Sequence, residues 1–383
     1  MTEMRVVVAG AGVAGLETAL ALRALADGLV SVQLVAPETE FTYRPLAVAE
    51  PFRVGEMRRF PLERLVRAAG AELRRGAVAA VDAEGKTVTL EDGAELAYDA
   101  LVLALGGRPR AVIPGALTFS GPEDRSALAA LLERATAGEV RRIAFVLPRR
   151  AAWPLPLYEL ALLTSEYLVS RMTRGVELIL ATPEERPLAL FGPAASDAIS
   201  HLLLLRGIRF MQGEHVDADA IVALPMLEGL PLEGVPQDDH GFVPTDEFGW
   251  VLGLTDVYAA GDLTQFPIKQ GGIATQQADA VASSIAADAG AQIRPAAFEP
   301  VLRGLLLTGM TPRFLRSGRG ASPSLVDTQP LWWPPAKIVG RYLTPFLAEH
   351  LGLSRESMRP AGTDAVPVNI ALDTRDHAAW SSV

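Results

Sequence analysis

The chain opens with a β-branched run, Val6-Val7-Val8, that stops at Gly10 and gives way to an Ala- and Leu-rich stretch from Ala14 to Leu22. That switch predicts a core strand followed directly by a helix. Val30–Val35 predicts the next strand. Between Ala71 and Tyr98, short strand patterns alternate with turns at Asp82-Ala83-Glu84-Gly85 and Glu91-Asp92-Gly93. This predicts a small antiparallel meander. Ala100–Leu103 is apolar at every position and runs into Gly106-Gly107, the mark of a parallel strand buried on both faces. In the second half, Arg141–Leu147 and Val176–Ala181 predict strands with a helix, Leu157–Val169, between them. A short strand at Val257–Ala260 precedes a helix opened by Gly271-Gly272. Beyond Leu351 the pattern is polar and aperiodic, as expected of a surface tail.

Composition narrows the chemistry. At 383 residues the chain suits two or three domains. Its net charge of −10 argues against nucleic acid as a partner, because phosphate backbones need a basic surface. The sequence has no cysteine, which removes disulfides, thiolate metal sites, cysteine nucleophiles and CxxC redox pairs. Its five histidines show no paired spacing, so no metal site is expected. The hydrophobic share of 49% and mean hydropathy of +0.23 are high. Even so, no apolar run reaches the roughly 18–20 residues of a spanning helix. The strand-like start shows no secretory cleavage pattern. The expected compartment is the cytoplasm, with peripheral membrane contact left open.

Three segments carry candidate chemistry. Gly10, Gly12 and Gly15 complete G-x-G-x-x-G between a strand and a helix, with Val13 and Ala14 inside the motif. Gly10 permits the tight turn, Gly12 lets a pyrophosphate approach the backbone, and Gly15 lets helix and strand pack closely. The acid expected at the end of the second strand is missing. Ala36 stands there, followed by Pro37 and Glu38, so Glu38 either reaches a ribose from a shifted backbone or stays a solvated loop charge. The third segment follows Val257–Ala260. Gly261 allows close approach, Asp262 can accept hydrogen bonds from a polyol, and the helix start at Gly272-Ile273 suits an anion.

Taken together, GAGVAG, YDALVLALGG and VYAAGD resemble the two-dinucleotide-binding-domain flavoproteins of the pyridine-nucleotide-disulfide oxidoreductase superfamily. The resemblance covers about residues 1–290. It implies an α/β fold of two Rossmann-like dinucleotide-binding domains with a small C-terminal cap domain, and FAD as the cofactor. Residues 1–110 and 241–295 would form the FAD domain, with 111–240 inserted as the second Rossmann-like domain and 296–383 as the cap. Carried over by motif, Gly10, Gly12 and Gly15 would hold the pyrophosphate. Ala104, Leu105 and Gly106 would line the cofactor, Gly261 and Asp262 would bind the ribityl chain, and Gly272 and Ile273 would face the pyrimidine edge. Phe41-Thr42-Tyr43-Arg44-Pro45-Leu46 and FPIKQGGIATQQA point to the branch of sulfide:quinone oxidoreductase, flavocytochrome c sulfide dehydrogenase and type II NADH dehydrogenase. Arg44 and Pro45 would then sit beside the FAD, and Lys269 near the isoalloxazine as the catalytic residue. The other reading of Lys269 is a solvated loop lysine.

The second nucleotide turn departs from the pattern. Pro148–Pro156 contains no glycine, and Pro and Trp fill the place where a pyrophosphate would approach. This argues against NAD(P)H. An acid in Thr182-Pro183-Glu184-Glu185 would either touch a ribose or lie in a solvated turn. Because the sulfide:quinone branch oxidises its donor through cysteines, the donor follows from neither pattern. The expected function is an FAD-dependent oxidoreductase passing electrons from a small donor to a quinone or another small acceptor, without redox cysteines. An NAD(P)H:acceptor reductase and a non-catalytic, partner-binding flavoprotein scaffold are the alternatives. Glu159 is a candidate acid or base, although a surface-helix glutamate is the plainer expectation. Trp332, Trp333 and Tyr342, flanked by Lys337 and Arg341, read either as a membrane anchor or quinone entrance or as a covering segment packed on its own domain. In the resembled branch this region also serves homodimer contact.

Overall fold

The computed structural model describes residues 3–318 and 323–352, so the expected tail beyond Leu351 lies, but for Gly352, outside the described residues. In chain order the helices are α1 (Val13–Ala26), α2 (Leu62–Ala68), α3 (Arg125–Thr136), α4 (Leu155–Ser170), α5 (Pro193–Leu205), α6 (Gly271–Asp288) and α7 (Leu343–His350). Two parallel sheets organise them, and the fold is α/β with two Rossmann-like units.

In the first sheet the strands lie in the order Val257–Ala259, Ala100–Leu103, Met4–Ala9, Val30–Ala36, Glu72–Arg75. The chain leaves Met4–Ala9 in one direction for its first neighbours and later returns on the other side. The carboxyl ends of Met4–Ala9 and Ala100–Leu103 therefore form a switch point, where ligands bind in open α/β sheets. Val8, Leu101, Val102 and Leu103 are wholly buried, as expected of strands covered on both faces. Each such side chain contributes about 1.5–3 kcal/mol of burial. The second sheet repeats the arrangement as Leu117–Thr118, Ala220–Ala223, Arg142–Val146, Glu177–Thr182, Ile208–Gln212.

The expected meander starts later than its sequence pattern. Val78–Asp82, Thr87–Leu90 and Glu95–Ala97 do pair antiparallel, but Glu72–Arg75 joins the main parallel sheet. Its Leu73 pairs with Leu34 in register, so the edge of the sheet takes the strand that local alternation assigned to the meander.

The C-terminal segment supplies an antiparallel sheet, Arg303–Leu306, Arg313–Arg316 and Leu325–Asp327, and then folds back onto α1 and α6. Buried Glu17 on α1 accepts the amide N–H groups of Tyr342 at 2.9 Å and Leu343 at 2.6 Å, capping α7 from another helix. Thr275 on α6 donates to the Val339 carbonyl at 3.0 Å, and the Ile338 amide donates to the Tyr43 hydroxyl at 2.9 Å. Residues 336–344 are thereby held against both the start of α6 and the Tyr43–Arg44 corner.

Candidate functional site

Gly10 has φ of +107°, and a Cβ placed on it would stand 2.3 Å from the Ala104 carbonyl oxygen. The two switch-point strands thus meet at a distance only glycine allows. A Cβ on Gly15 would stand 1.9 Å from the Gly10 oxygen, which lets α1 rest directly on the turn. Gly12 is different: it is exposed, has an ordinary φ of −76°, and a Cβ there would meet nothing within 4 Å. It caps α1 without a side chain, and no acid lies in the first turn. Free amides at a helix start, facing open space beside a carboxyl sheet edge, fit the pyrophosphate of a dinucleotide such as FAD.

The Gly261-Asp262 corner joins this cradle. Gly261, at φ +82°, lies against Ala14, to whose Cβ its own would be 3.1 Å. The Gly261 amide donates to Gln277 Oε1 at 2.8 Å, and Gln277 Nε2 donates to Thr264 Oγ1 at 3.0 Å, so α6 locks the corner. Asp262 is half-buried, and burial raises its carboxyl pKa despite nearby Lys269. Leu105 and Gly106 are partly exposed along the same edge, and Val13 is half-buried. Glu38 is exposed on the loop after Val30–Ala36, and Arg44 is exposed beside half-buried Pro45. Arg75, in register with Ala36, has a buried Nη1 without a hydrogen-bond partner close to the position of the missing ribose acid.

Lys269 is buried, which corrects the solvated-loop alternative. Its Nζ donates to the Thr264 carbonyl and lies 3.8 Å from the centre of the Phe242 ring. Burial brings its pKa down to about 8, with Asp262 and Asp238 opposing the shift. The helix start beyond it is less open than its glycines suggest. Gln270 Oε1 accepts the Ile273 amide at 3.0 Å, and Ile273 is itself buried. That donor is satisfied within the chain.

Glu159 is no surface residue. It is fully buried, and Lys337 Nζ contacts both its oxygens, at 2.7 and 2.6 Å. The Leu307 amide donates to Oε1 at 2.9 Å. Burial raises the Glu159 pKa and lowers that of Lys337, while each partner opposes the other's shift. The pair sits one residue from Ile338, whose side chain packs against Gly271 at the start of α6.

With this geometry in place, residues 4–146 match the pyridine nucleotide-disulphide oxidoreductase family. That match is a property of residues 4–146, the segment that carries the Gly10–Gly15 turn and the first parallel sheet's central strands. The probable ferredoxin reductase CtmF of Castellaniella defragrans is 36% identical over 118 residues, a segment spanning 29% of this chain and 28% of that protein. The sulfide:quinone oxidoreductase of Aquifex aeolicus shares the fold with a TM-score of 0.74 and 20% identity, over 85% of this chain and 86% of that one. NDH2 of Plasmodium falciparum, solved with NADH, aligns with a TM-score of 0.66 and 13% identity, over 93% and 96%.

The second switch point is built unlike the first. Trp153 packs edge-on against Phe191 at 5.8 Å, and α4 begins with Pro154 at its cap and Pro156 in its first turn, which removes an amide donor. In the Thr182–Glu185 turn, Glu184 accepts the Tyr158 hydroxyl at 2.6 Å. Arg149 pairs with Glu214 at 3.6 Å, and Arg150 contacts His240. In the C-terminal segment, Trp332 donates its indole N–H to the Ala336 carbonyl and stacks edge-on against Phe314, leaving Trp333 the exposed member of the pair. Among the described residues no helix is long and apolar enough to cross a membrane.

No motif in the sequence marked Lys337 as the partner of Glu159. The available signal was Glu159 itself, a lone charge inside Leu155–Leu163 on a helix apolar on every side. Such a charge is buried and must find a partner.

Proposed function

We propose that the chain is an FAD-dependent oxidoreductase that passes electrons from a small donor to a quinone or similar small acceptor, without redox cysteines. Residues 1–110 and 241–295 would form the FAD unit, 111–240 the inserted unit and 296–383 the cap. The Gly10–Gly15 turn carries this reading, because it is closed against Ala104 by backbone contact yet open at Gly12. Gly12, Val13 and Ala14 would hold the pyrophosphate, Ala104–Gly106 the adjoining chain, and Asp262 the ribityl hydroxyls. Arg44, Pro45, Gly272 and Ile273 would border the ring. When bound, the flavin supplies two-electron chemistry that the side chains alone lack. Lys269 contributes a fixed positive charge in a dry setting, where it counts for more than in water. The Glu159–Lys337 pair can hold and release a proton at a carboxylate oxygen or at Nζ, which suits an acceptor that gains protons as it is reduced. The structural likeness to a sulfide:quinone oxidoreductase supports the same acceptor class.

A panel of reductants and acceptors on the FAD-loaded protein tests the proposal. Short-chain quinones should reoxidise the reduced protein in repeated turnovers, with NADH and NADPH poor reductants. No quinone turnover with any reductant would refute it. The second parallel sheet and the likeness to NDH2 favour one other reading, an NAD(P)H:acceptor reductase. Rapid anaerobic bleaching by NADH or NADPH would establish that donor instead. The likeness to a probable ferredoxin reductase places a ferredoxin in the same panel.

Lys269→Met should lower the flavin midpoint potential by about 30 mV, the two-electron equivalent of about 1.4 kcal/mol. The sign follows from losing a cation that favours the anionic reduced ring. The difference should be present below pH 8 and fade above it, where wild-type Lys269 itself loses its proton. Equal potentials below that pH in a folded, FAD-loaded variant would remove Lys269 from the site.

A further inference from the structure

Five large aliphatic side chains stand unusually far into solvent: Val169 (64% exposed), Met172 (85%), Leu204 (75%), Leu205 (69%) and Met310 (63%). They come from three separate elements that meet at one place. Ser165 on α4 donates to the Arg206 carbonyl at 3.0 Å, and the Arg206 guanidinium pairs with Glu166 and donates to the Thr308 carbonyl at 3.3 Å. A Cβ on Gly309 would lie 2.6 Å from that of Glu166. Val169 is one turn beyond Ser165 and Glu166 on the same face of α4, and the Met172 amide closes back on the Val169 carbonyl at 2.9 Å. Leu204 and Leu205 directly precede Arg206 at the end of α5, and Met310 follows Gly309 in the turn between Arg303–Leu306 and Arg313–Arg316.

The rim of this tip is cationic in a chain whose net charge is −10. Arg171 and Arg174 are exposed, and Arg313 donates only to the Thr311 and Pro312 carbonyls, at 2.8 and 3.2 Å. Among the described residues none of the three meets an acid within ion-pair distance. The neighbouring acids are already taken, Glu166 by Arg206 and Glu177 by Arg142 and Arg209.

We infer that this tip is a docking surface for an anionic lipid bilayer. Exposed aliphatic side chains with a cationic border complement a headgroup layer: the aliphatic ends enter the acyl boundary while the guanidinium groups meet the phosphates. The surface does not include Trp332 or Trp333, and the docking does not depend on the flavin reading. It does place a lipid phase beside α4, the helix whose opposite end carries Glu159, about 15 Å away along its axis.

Co-sedimentation of the full chain with phosphatidylcholine vesicles containing about a third phosphatidylglycerol, and with phosphatidylcholine alone, tests it. Wild type should pellet with the anionic vesicles. The double variant Met172→Gln, Leu205→Gln should reduce the bound fraction about tenfold. Arg171→Gln, Arg174→Gln should weaken binding to anionic vesicles and leave the weak binding to neutral ones unchanged. Leu252→Gln, at an exposed leucine elsewhere, should behave as wild type. All these positions are exposed, and unchanged circular dichroism melts would confirm that the variants fold. Wild type remaining in the supernatant with anionic vesicles would overturn the inference, as would a Met172/Leu205 variant that pellets normally. So would a lipid-free dimer, in sedimentation velocity, that the same two substitutions split.

Discussion

Gly12→Asp should yield a folded chain that has lost its flavin, with bound FAD per chain reduced at least about tenfold. The two halves of this expectation have separate causes. Gly12 has an ordinary backbone conformation and open space where its Cβ would go, so a side chain costs the fold little. Aspartate is also a better helix cap than glycine, and α1 has no side-chain cap, so the cofactor-free chain should gain about a few tenths of a kcal/mol. That same carboxylate would occupy the place of a pyrophosphate and repel it. The contrast with Gly15→Ala makes the test specific, because a Cβ there would stand 1.9 Å from the Gly10 oxygen and damage fold and cofactor binding together. Flavin absorbance after desalting and a urea melt of the same sample report both quantities. A Gly12→Asp chain that retains FAD would mean the pyrophosphate lies elsewhere.

The second large effect concerns the buried pair. Lys337→Met should destabilise the fold by about 3–5 kcal/mol, because it leaves Glu159 buried with no counter-charge. Its pH dependence follows from the sign of the shift. With Lys337 gone, the folded-state pKa of Glu159 rises further above its unfolded value, so the folded chain keeps a proton that the unfolded chain releases. The variant's deficit should therefore be smallest in acid, where both states are protonated, and grow as pH rises through the ordinary carboxylate range towards neutrality. Adding Glu159→Gln should recover most of the loss, since glutamine keeps an acceptor for the Leu307 amide and carries no charge. Glu159→Gln alone should retain FAD and slow the quinone half-reaction. A deficit that is flat with pH, or a double variant no better than Lys337→Met, would show that the two residues do not act as a charge pair.

The parts of the molecule that local constraints decide were readable from the sequence. Gly10 and Gly15 follow from backbone clearance, and Ala100–Leu103 follows from a run with no polar position. The start of the meander is a different case: Glu72–Arg75 alternates like an edge of that meander yet pairs with Val30–Ala36, a choice made by the sheet and not by the segment. The Glu159–Lys337 pair was out of reach for a different reason. Its members are 178 residues apart, and their juxtaposition depends on residues 336–344 folding back onto α1 and α6. At Ile273 the glycines before it signal an open helix start, but Gln270 closes one donor with its own side chain, a contact that the sequence permits without requiring. The exposed aliphatic tip is equally a product of assembly. Leu204 and Leu205 continue the apolar run in which Ile199, Leu202 and Leu203 are buried, and only the packing of α4, α5 and the Thr308–Thr311 turn leaves them outside.

The central claim is that this cradle holds a flavin that exchanges electrons with a small acceptor. Its most direct test is the visible absorption spectrum of the chain after incubation with FAD and desalting, recorded before and after anaerobic photoreduction and then after addition of a short-chain quinone. The expected record is a flavin spectrum retained through desalting, bleached by reduction and restored by the quinone. A desalted chain without flavin absorbance, or a bleached flavin that the quinone leaves unchanged, would contradict it.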